Sequence, residues 1–379
     1  MPFYIGLMSG TSLDGIDAAL VEIDDTPSGN RPRLMGTHAE PMPSLLRKQL
    51  WKLCHARKTT FAELAEAEDA FCRLQAEAVK ALLLRSRTPP EVVVAIGSHG
   101  QTIEHAPRGH AGGPAYTLQL DNPSLLAELT GLTVVADFRR RDLAAGGQAA
   151  PLAPAFHEAL FRAPKEWRLV LNLGGFANLT LLPPAEDPRA PQGFDSGPAN
   201  ALLDAWHARH RGGDFDVDGA WAASGQVDER LLSRLLAEPF FHLPPPRSTG
   251  RELFHLNWLD AHLKGDEKPE DVQATLAQLT AESVALAVTM ARERLEAPAA
   301  MRLIPCGGGA HNHDLLSRLA NRLPDAALTD GATSGWPADW LEAGAFAWLA
   351  WRRLQGLPGN LPSVTGATGN RVLGGIYAP

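Results

Sequence analysis

The stretch from Ser9 to Asp17 sets Gly10, Thr11, Ser12, Leu13, Asp14, Gly15 and Ile16 between a hydroxyl and a carboxylate. A turn rich in Gly, Ser and Thr offers backbone N–H groups and hydroxyls with no bulky side chain in the way, which suits a phosphate chain. The carboxylates of Asp14 and Asp17 could hold a metal ion there through water. An ordinary hairpin with a polar tip has the same composition, and Asp-Gly supplies the positive φ that hairpin turns need. Ser98, His99, Gln101 and Thr102 form a second polar set. His99 there is either a ligand-facing group or a satisfied structural histidine. Asp137 and Arg139 could bind a polar ligand together, or form a surface ion pair worth little. Asp195 precedes Ser196-Gly197-Pro198. Just before a helix N-terminus a carboxylate stays ionised, which suits a general base and equally an N-cap. Gly307, Gly308 and Gly309 would let a flat base or a ribose approach the backbone. Arg247, Ser248, Thr249 and Arg251 could contact a phosphate or a neighbouring lobe. Asp214, Asp216 and Asp218 resemble the start of a calcium loop, but no glutamate stands where a twelve-residue loop would end.

Each set needs an element to hold it. Apolar runs Tyr4–Leu7 and Ile16–Ile23 flank the first, giving strand, tight turn, strand. Residues 43–58 and 60–87 read as helices, the second with Phe61, Leu64, Ala65, Phe71, Leu74, Ala78 and Leu82 at helical spacing. Val92–Ile96 reads as a buried strand that ends in the histidine set, and ligands gather at such strand ends in α/β sheets. Leu132–Ala136 is a strand leading to Asp137. Arg168–Pro184 repeats strand, Gly-Gly turn, strand, about 165 residues after the first hairpin. Two such hairpins, each followed by helices and further strands, predict a duplicated α/β unit: two similar lobes facing one another across a cleft. Residues 270–295 make one long amphipathic helix, the triple glycine joins a strand to a helix, and Glu342 lies in a helix from Trp340 to Leu354.

The chain has 379 residues, enough for two or three domains, and its net charge of -8 gives no general attraction to nucleic acid or anionic membrane. Arg139-Arg140-Arg141 is the one compact basic cluster. Cys54, Cys72 and Cys306 are far apart and odd in number, so they suggest neither a disulfide framework nor a metal site. No apolar run reads as long enough to span a bilayer, and no signal peptide is evident, so a cytoplasmic protein is expected.

Further identity comes from ordered strings: GLMSGTSLDGID, IGSHGQTI, VVADFRRRDLAAGGQ, LNLGGFANLT, GFDSGPAN, DGAWAASG, STGRE and CGGGAHN. In this order they resemble the anhydro-N-acetylmuramic acid kinase family, within the sugar kinase, heat-shock-70 and actin superfamily of ATPases. The resemblance runs almost from end to end. It implies two ribonuclease-H-like lobes around a central cleft, expected at residues 1–131 (rejoined by the tail 364–379) and 132–363. It implies an enzyme that uses ATP, Mg²⁺ and a water to open 1,6-anhydro-N-acetylmuramic acid and phosphorylate O6, giving N-acetylmuramic acid 6-phosphate and ADP in cell-wall recycling. A homodimer is implied as well.

By the same resemblance Asp195 is the base, and Glu342 lies near the same water and sugar. Gly10 to Asp17, with Asn172, Gly174, Gly175, Asn178, Gly307, Gly308, Gly309 and Asn312, would bind ATP. Mg²⁺ would be held through water near Asp14 and Asp17. Ser98, His99, Gln101, Thr102, Asp137 and Arg139 would line the sugar side. Ala149 and Ala199 depart from the family's glycines, and an added methyl there would crowd the sugar or demand a negative φ. Other readings are a kinase for another amino sugar without ring opening, a sugar-sensing regulator, and a filament-forming relative of actin. The acidic charge argues against the second, and the polar strings 98–102 and 136–139 against the third.

Overall fold

In the computed structural model the described residues are 2–379 except 11, 25–30, 56–57, 111, 246 and 330–334. Thr11 thus lies outside them. The chain opens with strands β1 (Phe3–Ser9), β2 (Gly15–Glu22) and β3 (Arg33–Pro41), then helices α1 (Ser44–His55) and α2 (Phe61–Ser86). Next come β4 (Val93–Ala106), β5 (Tyr116–Leu120), α3 (Pro123–Thr130), β6 (Val134–Ala136), α4 (Arg140–Ala144) and α5 (Ala153–Phe161). A second run holds β7 (Arg168–Leu173), β8 (Phe176–Leu182), β9 (Gln192–Pro198), α6 (Asn200–Arg211), α7 (Ala220–Ser224), α8 (Glu229–Leu236) and α9 (Leu256–Asp260). It continues through α10 (Pro269–Leu295), β10 (Met301–Cys306), α11 (His313–Arg322) and β11 (Ala326–Leu328). The chain closes with α12 (Leu341–Leu354), α13 (Pro362–Thr365) and β12 (Gly375–Tyr377).

Two compact units result, one of Met1–Leu160 with Trp340–Pro379, the other of Phe161–Asp339. The expected boundary at 131/132 is therefore displaced. β6 pairs in parallel with β4, and β12 pairs with β6, so residues 132–160 and the closing segment complete the first sheet. Its order is β12-β6-β4-β1-β2-β3, with β5 paired to β4. The second sheet runs β11-β10-β7-β8-β9. In each, three antiparallel strands are followed by two that run parallel to the first. The same order built twice is the ribonuclease-H-like duplication that the paired hairpins predicted.

Burial explains the strand sequences. Tyr4, Ile5 and Leu7 of β1 are all buried because both faces of the sheet are covered. Ile5 and Leu7 share a core with Leu46 and Leu50 of α1 and with Phe71, Ala78 and Leu82 of α2. On α2 the buried stripe includes Phe71, Leu74, Ala78 and Leu82, whereas Phe61 is exposed. The helix start is fixed instead by a capping box of Thr60 and Glu63. Helix α12 packs its backbone directly on the sheet: a Cβ at Gly6 would lie 1.8 Å from Ala343 O, and one at Gly97 2.0 Å from Phe346 O. In the second unit α10 is long and apolar enough to cross a membrane by length and composition, contrary to the reading above. Its most apolar window is 72% buried, and Leu276, Leu279, Val284 and Val288 pack in the unit's core.

Candidate active site

Asp195 is a mid-strand residue of β9, not the residue before a helix; α6 begins at Asn200 with Ala199 as its cap. The strand's pairing fixes the carboxylate's direction. Asn178, on the neighbouring β8, donates Nδ2 to Asp195 Oδ1 at 2.7 Å. The backbone N–H of Thr249 donates to Oδ2 at 2.9 Å. Arg247 binds the same residue through its backbone, as Asp195 N donates to Arg247 O and Arg247 Nε to Asp195 O. Arg247 is only 7% exposed, and its guanidinium also caps the carbonyls of Phe240, Phe241 and Leu243. Arg247 and Thr249 are therefore spent on holding Asp195, and Arg247 is internal, while Ser248 and Arg251 are exposed. Burial raises the Asp195 carboxyl above the usual aspartate range, while the Asn178 bond, the Thr249 N–H and the Arg247 charge pull it back. A fixed carboxylate with an elevated proton affinity can take a proton from water or a hydroxyl.

In the first unit Arg139 turns inward. Its Nε and Nη2 donate to His99 Nε2 at 3.1 and 2.9 Å, and Nη1 donates to Ala149 O at 2.7 Å. With Nε2 accepting from a guanidinium, the His99 proton sits on Nδ1. Burial, and then the Arg139 charge, hold His99 well below the ordinary histidine value, so the ring is neutral. It packs on Phe346 of α12 with centroids 4.7 Å apart. Glu342 opens α12 and lines, with Arg139, Pro151 and Phe346, a cavity of about 180 Å³. Glu342 keeps solvent-exposed surface, and the crowding of protein around it pushes its carboxyl above the usual glutamate range, with Arg139 opposing. A cation, a neutral imidazole and a carboxyl of raised affinity together can bind and orient a polar, hydroxyl-rich molecule.

The rest of the 98–102 segment is not a strand end. β4 runs through it, pairing with β1 up to Gln101 and with β5 beyond. Ser98 is fully buried, accepting from Gln75 Nε2 and donating to Asp121 Oδ2, both at 2.7 Å. Burial pushes the Asp121 carboxyl up to about 6. Gln101, also fully buried, reaches Ser9 Oγ at 2.7 Å and donates to Gly10 O at 3.4 Å, tying β4 to the first turn. Thr102 Oγ1 accepts from Gln119. Asp137 is exposed at a φ of 58° and pairs with Arg140 at 3.6 Å, not with Arg139.

The glycine turns differ from their expected roles. Among the described residues of the first hairpin the left-handed one is Leu13, at φ 59°, not Gly10 or Gly15. Gly15 is required by space, since a Cβ there would lie 2.4 Å from Glu40 O. Ser12 and Asp14 are exposed, Ile16 is buried, and Asp17 is half-buried in β2. In the second hairpin Gly174 O accepts from Asn200 N, and Gly175 O from Ala199 N and Ala201 N. Asn172 stands opposite Asn178 in the β7–β8 register. A Cβ at Gly307 would meet Asn172 Oδ1 at 2.3 Å, and one at Gly309 would meet Leu173 Cβ at 2.6 Å. Gly308 alone of the three is exposed, with nothing nearer than Asn200 Nδ2 at 3.8 Å. Asn312 caps α11 by accepting from Leu315 N.

The family model for anhydro-N-acetylmuramic acid kinase matches residues 2–379. The chain belongs to the anhydro-N-acetylmuramic acid kinase family. Proteins of that name from Chromohalobacter salexigens and Pseudomonas syringae pv. tomato are 62% and 52% identical to it over 378 residues. The alignments cover 100% of both chains in the first case and 99% of both in the second. A solved ROK hexokinase from Thermus thermophilus is 18% identical over 92% of this chain and 99% of its own, at a TM-score of 0.38. The strand order, rather than that distant likeness, carries the fold. As a member of this kinase family the protein is a phosphotransferase.

Two residues escaped the reading of the family's strings, and a third was read in another role. Asp142 is buried and bonded to Ala149 N. Asn200 donates to Leu173 O beneath the triple glycine. Asn178, expected on the nucleotide, is joined to Asp195. A short polar residue inside an apolar or glycine-rich run was the available signal in each case. Ala149 keeps the left-handed φ, 59°, that the family's glycine would adopt freely. The usual cost of that conformation for an L-residue is about 1–2 kcal/mol. The pattern of three alternate aspartates is structural: Asp216 accepts from Trp221 N and Ala222 N, and Asp218 pairs with His313.

Proposed function

We propose that the protein phosphorylates 1,6-anhydro-N-acetylmuramic acid at O6, opening the anhydro bridge with water, in cell-wall recycling. Family membership along the whole chain supports the substrate. The observation that carries the ring opening is the Asp195 carboxylate, held from both oxygens and raised in proton affinity. Asp195 takes a proton from a water that attacks C1. The C1–O6 bond breaks, and O6 attacks the γ-phosphate of ATP, releasing ADP. Breaking an acetal and forming a phosphate ester asks the protein mainly for positioning and charge placement. Arg139, His99 and Glu342 take the sugar side, while Ser98 and Gln101 are bonded to Gln75 and Asp121 and to Ser9 and Gly10. The turns at 10–17 and 174–175 and the exposed Gly308 are the nucleotide side.

Mg²⁺, when bound, would neutralise charge on the phosphates. Among the described residues no group of three His, Cys, Asp or Glu could cage an ion. The Asp14 side chain is 69% exposed beside the open turn at Gly10 and pairs with Arg47 at 3.3 Å, so an ion held there through water would share the carboxylate with that exposed guanidinium. A cytoplasmic homodimer completes the reading.

The test is ATP turnover by the purified protein in ¹⁸O-water with the anhydro sugar. Label at the C1 hydroxyl of the phosphorylated product, and no turnover without the sugar, are expected. Equal phosphorylation of free N-acetylmuramic acid or another amino sugar would replace ring opening with simple hydroxyl transfer, where Asp195 deprotonates the acceptor itself.

A further inference from the structure

We infer that Asp142 is a positioning residue for the sugar side: it holds the Ala149 peptide and thereby aims Arg139, and the C-terminal segment 360–365 is part of that support. The inference rests on the assignment of Arg139 and Glu342 to the sugar.

Asp142 has no exposed surface. One carboxylate oxygen, Oδ1, accepts from Asn360 Nδ2 at 2.7 Å and from Thr365 Oγ1 at 2.8 Å. The other, Oδ2, accepts from Ala149 N at 2.8 Å. Its backbone carbonyl accepts from Gly147 N, and a Cβ at Gly147 would lie 2.2 Å from Oδ2. So the carboxylate fills the space that the glycine leaves. The Ala149 peptide is clamped at both ends, its N–H by Asp142 and its carbonyl by Arg139. Without that clamp a left-handed alanine would relax toward negative φ and its carbonyl would swing away. Arg139 would then lose one of its two anchors and keep only His99. Asp142 itself does not line the cavity that Arg139 and Glu342 share. It acts through the loop. Asn360 and Thr365 lie more than 200 positions along the chain from Asp142, so the tail of the protein reaches the loop before Ala149 through this carboxylate, beside the backbone bonds of Gln148 N to Thr365 O and Thr368 N to Ala145 O.

The experiment is a double-mutant cycle on the full-length enzyme, reading kcat/KM for the sugar and KM for ATP separately. Arg139→Lys keeps the charge and removes the fork geometry. Asp142→Asn keeps the shape but sets an NH₂ against one of its donor partners. Misplacement of this kind costs on the order of 10²-fold. Asp142→Asn should lower sugar kcat/KM by about 10–100-fold with the ATP KM unchanged, and should add nothing on top of Arg139→Lys. Thr365→Val removes one donor and leaves the carboxylate in place. It should show the same pattern at about 3–10-fold, and it serves in the cycle if Asp142→Asn does not fold. Losses that multiply, or a parallel rise in the ATP KM, would overturn the positioning role while leaving Arg139 on the sugar. Full sugar kcat/KM in Arg139→Lys would instead remove the sugar-side assignment, and the inference with it.

Discussion

Both units begin with an antiparallel hairpin, and the two turns are built differently. The β1–β2 turn keeps its outer groups exposed: Ser12 and Asp14 face solvent, and support comes from behind through Ser9 and Gln101. The β7–β8 turn spends its carbonyls on the start of α6, and its strand passes Asn178 to Asp195. One strand order thus serves two uses. The first turn leaves Ser12 and Asp14 open to solvent. The second anchors Asp195, the carboxylate proposed for the proton chemistry. A repeat of topology is not a repeat of chemistry, and the difference lies in which side chain occupies the strand after the turn.

The largest effect that can break this contrast is at Asp195. Asp195→Asn is expected to lower kcat by 10²–10⁴-fold, the usual worth of a general base. Rapid turnover by that variant would move the base elsewhere. Next, Asn178→Ala removes the hydrogen bond that most opposes the raised Asp195 value. The base must be ionised, so activity falls as pH falls through its folded-state pKa. Losing Asn178 raises that pKa further, and the acid limb of the pH–rate profile should shift to higher pH. An unmoved limb would mean that Asp195 is not the group titrating.

A stability comparison follows. Gly15→Ala forces a methyl to within 2.4 Å of Glu40 O and should cost about 1–3 kcal/mol in urea unfolding. Gly174→Ala meets nothing closer than 3.8 Å and should stay within about 0.5 kcal/mol of the parent. The two glycines would then serve different ends, one for packing and one for access. Equal costs would erase the distinction. A pH-dependent effect on stability is expected at Asp121. Its folded value of about 6 stands above the ordinary 3.8, so its ionisation costs stability as pH rises through that window. Asp121→Asn should stabilise the fold by about 1 kcal/mol above pH 6 and leave it unchanged below pH 4. A gain at pH 4 as large as at pH 7.5 would contradict the sign.

Much of the fold was legible because periodicity and turn residues are local. The paired hairpins and the long helices α2 and α10 follow from them. The unit boundary was not legible, because nothing local in Val134–Ala136 says that it pairs with Ile96–Gly97, or that Ile376 will pair with Val135. At the site, residue types were informative and their directions were not. Ser98 and Gln101 have ligand-binding chemistry, yet both are buried, Ser98 bonded to Gln75 of α2 and Gln101 to Ser9 of β1. Leu13 adopts the conformation that two neighbouring glycines seemed placed to supply. Asp142 stayed hidden because its partners, Asn360 and Thr365, are remote in sequence.

The first unit is interrupted between Leu160 and Trp340. During synthesis its earliest strands must wait for α12, since Gly6 and Gly97 present bare backbone that only this helix covers. The second unit is continuous and is complete when residue 339 has been made. What is translated first is therefore finished last. A chain stopped at Asp339 should protect 161–339 from protease and leave 1–160 open to cleavage, and equal protection of both would refute that order.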